Sequence, residues 1–285
     1  MLQSVLLKIF ILVQGLGAAS GLVYHKKQIY MISDDQAYVY QYDTKKDKQH
    51  KIELNTTISA KEITKKNKLD FESIVLINHK LYCLGSGSKA NRNEMLIYDI
   101  KKKTSERYDL TSLYQIIRSS FHIDEKDFNI EGVAYANGNT YLFNRGNGPK
   151  QTNGIIVIKG LPNDYDDKNL KFIPIQLPII NGQQTTFSDA LIVDNQIIYT
   201  ATIEAESTIQ QDGEVKESII GAIDLRSFAL KKYKVIAKNQ KIEGITLMKK
   251  TSKYYHFLLC EDNDDDSAAS KVYELEISKD LADIK

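Results

Sequence analysis

The chain lacks any excess of charge: 38 basic and 37 acidic side chains leave a net charge of +1 over 285 residues. No global field draws it to nucleic acid or to an anionic membrane, so neither is expected as a partner. Cysteine is also scarce, with two in all, and tryptophan is absent. Cys83 and Cys260 fall in equivalent strands of two repeats that are not adjacent in a ring. A disulfide requires Cα atoms within about 7 Å, so two free, buried thiols are predicted; free thiols suit a reducing, cytoplasmic compartment. No hydrophobic run reaches the roughly 20 residues of a membrane-spanning helix. Complete catalytic signatures are missing too. There is no Gly-x-Ser-x-Gly elbow, His-Glu-x-x-His helix, paired Cys-x-x-Cys or phosphate-binding P-loop.

What is present is a repeat. Five starts read Ser20-Gly21-Leu22, Glu72-Ser73-Ile74, Glu131-Gly132-Val133, Asp189-Ala190-Leu191 and Glu243-Gly244-Ile245, at intervals of 52, 59, 58 and 54 residues. Each leads an apolar run, a turn and a second apolar run that opens with Tyr or Phe. Asn78-His79, Asn137-Gly138-Asn139 and Asp194-Asn195 suit hairpin turns, because Asn and Gly tolerate positive φ. A period of about 40–60 residues made of short strands marks a β-propeller. The expected fold is all-β: one five-bladed propeller over residues 1–285, with four antiparallel strands per blade. Asp43, Asp99 and Asp224, which end third strands, are predicted to cap the turns that follow. Thr111-Ser112 is predicted to cap a short helix between the second and third blades.

The fifth repeat ends one strand short, and the apolar stretch Leu6–Val13 can supply it. The same stretch, followed by Gly17-Ala18-Ala19-Ser20, has some features of an export signal, although Lys8 interrupts it and no basic residue precedes it. A closing strand and a cytoplasmic protein form one reading, and a signal peptide with export the other.

In a propeller, the loop leading into the first strand and the loop between the second and third strands open on one face. Four repeat starts then place Glu72, Glu131, Asp189 and Glu243 around one mouth of the channel, with Ser20 at the fifth position. The neighbouring loops add Asp34 and Asp35, then Lys89, Arg92 and Asn93, then Arg145 and Asn147, then Glu204 and Glu206, then Glu261-Asp262-Asn263-Asp264. Two readings stand. The acids either stitch neighbouring blades through backbone N–H groups, or they form a site. As a site, Glu72, Glu131 and Glu243 would hold Ca²⁺ or Mg²⁺, which favour oxygen ligands. Arg92 and Arg145, with Lys89, Asn93 and Asn147, would hold an anionic group, and Asp189 or Glu204 would act as base.

Asp70-Phe71-Glu72-Ser73-Ile74, Asn129-Ile130-Glu131-Gly132-Val133 and Ile242-Glu243-Gly244-Ile245 resemble a bacterial group of phytase-like and esterase-like β-propellers, and the resemblance spans nearly the whole chain. By further analogy with lactonase-type propellers, it implies that Glu72, Glu131 or Glu243 is a metal ligand. The expected function is binding of a small-molecule or protein ligand at the mouth by a monomer; the alternative is metal-dependent hydrolysis of phosphate or carboxylic esters there.

Overall fold

A computed structural model describes residues 7–57, 64, 67–204, 215–263 and 269–283, without the side chains of 204, 215 and 216. Glu206, Asp264 and the first six residues lie outside the described set. Strand β1 (Lys8–Gln14) comes first in the chain. The first blade holds β2 (Ala19–His25), β3 (Gln28–Ser33), β4 (Tyr38–Asp43) and β5 (Lys48–Glu53). The second holds β6 (Phe71–Ile77), β7 (Lys80–Gly85), β8 (Glu94–Asp99) and β9 (Thr104–Asp109). Helix α1 (Thr111–Phe121) follows. The third blade is β10 (Ile130–Ala136), β11 (Asn139–Asn144), β12 (Gly154–Leu161) and β13 (Asp164–Pro174). A small hairpin, β14 (Ile179–Ile180) with β15 (Gln183–Gln184), leads to the fourth. That blade is β16 (Thr186–Val193), β17 (Gln196–Glu204), β18 (Val215–Asp224) and β19 (Leu230–Lys238). The fifth is β20 (Lys241–Lys250), β21 (Tyr254–Asp262), β22 (Ala269–Ser278) and, on its outer side, β1. The closing strand is therefore where the sequence places it: β1 runs antiparallel to β22, with Ile9 opposite Tyr273 and Val13 opposite Ser270.

The five first strands touch one another in a closed cycle, β2 with β6, β6 with β10, β10 with β16, β16 with β20 and β20 with β2. Each blade is sandwiched between two others, so both of its faces are buried. Side chains alternate between the faces of a strand. Accordingly Tyr30 and Ile32 pack with Ile74, Leu81 and Cys83 of the second blade. Ile29 and Met31, which alternate with them in sequence, pack with Leu258, Cys260 and Val272 of the fifth. This two-sided burial is why inner strands read as continuous apolar runs while the outer strands β5 and β9 are largely polar and exposed. Both cysteines are buried free thiols, each raised by burial, Cys83 to about 12.

The hairpin signals hold. Both central residues have positive φ in Asn78-His79, Asn137-Gly138 and Asp194-Asn195. So do Lys26-Lys27, which carry no such signal in sequence. Asp43, Asp99 and Asp224 each accept two backbone N–H bonds at Oδ1 from residues two and three positions on. The helix cap differs from expectation. Thr111 is already the first helical residue, and its N–H donates to Asp109 Oδ1 at 2.8 Å. The helix is anchored by Tyr114, whose hydroxyl donates to the Gly85 carbonyl at 2.8 Å.

Every first strand carries a β-bulge near its start. The ladder skips Ser20, Glu72, Glu131, Ser188 and Glu243, which have no partner on the second strand. In the fourth blade the skipped residue is Ser188, not Asp189, which corrects the repeat read from sequence by one position. The Ser188 hydroxyl donates to the Ile242 carbonyl at 2.7 Å. Ser20 donates to the equivalent carbonyl, that of Phe71. Both bonds join a blade to the next one. Loss of a buried bond of this kind costs on the order of 1–2 kcal/mol. Ser20→Ala and Ser188→Ala are each expected to lower the urea-unfolding free energy by about that amount, with an unchanged slope.

Candidate functional site

The loops leading into first strands and the loops between second and third strands enclose one cavity of about 490 Å³. Its wall holds Glu72, Glu131 and Glu243, the three bulge residues that are acids, together with Asp34, Asp70, Asp262, Lys68, Arg92, Arg145 and Lys241. No described residue of the fourth blade is in this wall. A run of backbone bonds ties its loops together: Asp70 N–H to the Asp34 carbonyl, Ser86 to Asp70, and Ile130 to Ser86, each within 3.0 Å.

Charges in the wall are arranged in two paired groups. In one, Lys68 Nζ contacts Asp34 and lies 3.1 Å from Asp70 Oδ1, while Arg92 Nη1 lies 2.8 Å from Asp70 Oδ2. Burial opposes the charge of Lys68, but Asp34 and Asp70 hold its ammonium above the ordinary range. In the other, Arg145 Nη1 lies 3.3 Å from Glu131 Oε1 and 3.8 Å from Glu243 Oε1. Arg145 Nε also donates to Thr186 Oγ1 at 3.2 Å, which fixes the plane of its guanidinium. Lys241 Nζ lies 3.0 Å from Glu243 and 3.4 Å from Asp262. Asn129 Nδ2 donates to Glu131 Oε1 at 2.7 Å.

Glu72 stands between these groups. Among the described residues its carboxylate makes no hydrogen bond or ion pair. Burial and the charges of Glu131, Asp70, Asp34 and Glu243 push it well above the ordinary carboxylate range. Burial pushes Glu131 up to about 7, with Arg145 opposing.

A family model described as "Family of unknown function (DUF6929)" matches residues 15–277. The chain belongs to that family. No curated protein matches its sequence. Solved structures similar to this DUF6929 chain include glutaminyl cyclase of Myxococcus xanthus, with a TM-score of 0.53 and 11% identity over 97% of this chain and 96% of that one. Another is the allergen Mala s 1 of Malassezia sympodialis, with a TM-score of 0.58 and 11% identity over 92% and 93% of the two chains. At such identities the similarity shows the propeller fold alone.

The DUF6929 mouth gathers most of the residues singled out from sequence, but not all. Glu72, Glu131, Glu243, Arg92, Arg145, Lys89 and Asn147 line the cavity. Asn93 does not. It faces a separate outer hollow and donates to Thr111 Oγ1 at 3.1 Å. Asp189 is also outside the wall. Its Oδ1 accepts from the Ala190 N–H at 2.7 Å and its Oδ2 from the Ile245 N–H at 2.9 Å, so it braces the fourth blade to the fifth. Burial pushes its carboxyl well up, with those two N–H groups opposing. Four acids at one mouth thus become three, and the stitch reading holds for Asp189. Glu204 ends β17, and its side chain lies outside the described residues. In the Gly85–Lys89 loop the Ser86 hydroxyl is bonded to Asp70. No helix among the described residues is long and apolar enough to cross a membrane.

Sequence reading missed Asp70, Asn129 and Lys241. A signal for them exists: each lies two residues before a bulge, as do Ala18 and Thr186, and alternate residues of a strand share a face. Four of these five line the cavity, and Thr186 binds Arg145.

Two outcomes follow. Arg145→Met removes the guanidinium that opposes protonation of Glu131, so the carboxyl takes up a proton; the loss in urea unfolding should stay below the roughly 3–5 kcal/mol of a buried charge left unpaired. The Glu131 carboxyl binds its proton more tightly in the folded protein than in the unfolded chain. Its contribution to stability is therefore complete below about 4.5 and is lost as pH rises to about 7. The melting temperature of the protein relative to Glu131→Gln should fall across that window and stay level below it.

Proposed function

We propose that the channel mouth binds a small polar molecule and that this DUF6929 propeller acts as a ligand-binding protein. The cavity carries the reading. At about 490 Å³ it is of ligand size, and its charged side chains are pre-positioned by buried pairs and a bonded guanidinium. The test is a thermal-shift screen of small polar compounds, repeated on Asn147→Trp, which sets a bulky ring at the exposed rim. Compounds that raise the melting temperature of the protein but not that of the variant support the reading. An equal response in both proteins would remove it.

One observation favours a second reading, phytase- or lactonase-like hydrolysis of phosphate or carboxylic esters with Ca²⁺ or Mg²⁺. Carboxylate oxygens of Asp34, Asp70 and Glu72 lie within 4.8 Å of one another. These hard cations take six or more oxygen ligands, and the ammonium of Lys68 already occupies the space between Asp34 and Asp70. The metal would have to displace it. A melting temperature that rises with Ca²⁺ after EDTA treatment, together with metal-dependent turnover of an ester panel, would move the assignment to the hydrolase.

A further inference from the structure

Resting on the ligand-binding reading, we infer that the ligand enters the mouth with a cationic N–H donor group, a primary ammonium or guanidinium, received by Glu72 and Glu243, and carries an acidic group that Lys89 and Lys126 meet at the rim.

Among the described residues the inner wall offers six carboxylates, Asp34, Asp70, Glu72, Glu131, Glu243 and Asp262, against four cations. Each of those cations is already paired: Lys68 and Arg92 with Asp34 and Asp70, Arg145 with Glu131, and Lys241 with Glu243 and Asp262. Glu72 is left over, and four other acids act on it. Glu243 supplies the independent observation. It is 3% exposed, it lines the cavity, and neither of its carboxylate oxygens accepts a hydrogen bond. The Lys241 ammonium stands 3.0 Å away but out of line for one. A buried acceptor without a donor is costly, so among the described residues the mouth is short of N–H groups at Glu243 and of a paired cation at Glu72. An ammonium or guanidinium supplies both. A divalent metal supplies charge only, in a wall where Lys and Arg are interleaved with the acids.

The rim has the opposite character. Lys89, Lys126 and Glu125 are exposed and line the cavity; Glu125 is paired with Arg118 at 3.5 Å, while the two lysines form no ion pair among the described residues. The wall is therefore acidic at depth and basic outside, which matches a zwitterion entering amine first.

The test uses four probes on the full chain: 6-aminohexanoate, hexylamine, hexanoate and CaCl₂, titrated by calorimetry and thermal shift. Both amines should bind and hexanoate should not. Glu72→Gln should weaken amine binding at least tenfold. Its own melting temperature without ligand should equal or exceed that of the unaltered protein, because a carboxylate among carboxylates has been neutralised. Lys89→Ala with Lys126→Ala should bring 6-aminohexanoate down to the affinity of hexylamine. Hexanoate binding that Glu72→Gln leaves unchanged would overturn the inference, as would Ca²⁺ binding that Glu72→Gln abolishes. So would silence from both amines while other compounds still bind in an Asn147-dependent way. Those three results leave the mouth a ligand site. Failure of every compound to respond to Asn147→Trp removes the ligand reading as well.

Discussion

The bulge at the start of each first strand is the constraint on which the other features depend. It lifts one residue per blade out of the ladder, because a bulged residue has no partner across the pair. The residue that follows must then fit where inner strands of adjacent blades come closest. A Cβ at Gly244 would stand 2.6 Å from Cys260 Sγ and 3.0 Å from the Gly21 Cα. One at Gly132 would stand 3.2 Å from the Asp189 Cα. The recurring pair of a polar residue then a small one is therefore a packing requirement at the axis. The fourth blade meets it differently, with Asp189 in the small position and its carboxylate bonded to backbone N–H groups of two blades.

Acids crowded at the axis need compensation, and the way it is distributed shapes the mouth. Desolvation and mutual repulsion both oppose ionisation. Asp34 and Asp70 answer with Lys68 and Arg92, and Glu131 and Glu243 with Arg145 and Lys241. These cations arrive from different places in the chain: Lys68 from the loop before β6, Arg92 and Arg145 from loops after second strands, and Lys241 from the first residue of β20. The pairs draw loops of separate blades into one rigid wall. Glu72 lies where the two groups meet and forms an ion pair with neither among the described residues, although it adds to the field that holds Lys68 charged.

Architecture was legible because burial of both blade faces writes apolar runs and hairpin turns into the chain at a steady interval. The closing strand was legible for the same reason, as an apolar run with no partner in the fifth repeat. The site was legible only in part. The fourth repeat went out of phase because Tyr199 lies one place later, relative to its turn, than Tyr30, Tyr82 and Tyr141 do. Counting back from the turn residues Asp194-Asn195 gives Ser188, as it gives Ser20, Glu72 and Glu131 from theirs. Asn93 and Arg92 are adjacent in sequence, yet one faces the outer hollow and the other the mouth. Only the path of a short 3₁₀ turn over Ala90–Arg92 separates them. Partner choice was beyond reach, since pairs such as Arg145 with Glu243 join residues far apart in the chain.

The repeated bulge position also divides by chemistry. A serine hydroxyl can donate to a carbonyl, and at Ser20 and Ser188 it does so across a blade junction. An ionised carboxylate can only accept. At Glu72, Glu131 and Glu243 no such junction bond is made, and the longer side chain lines the cavity. One substitution type at one repeated place thus replaces a hydroxyl stitch with a carboxyl group in the wall. At that position two blades carry a serine bonded to the next blade, and three carry an acid in the cavity wall.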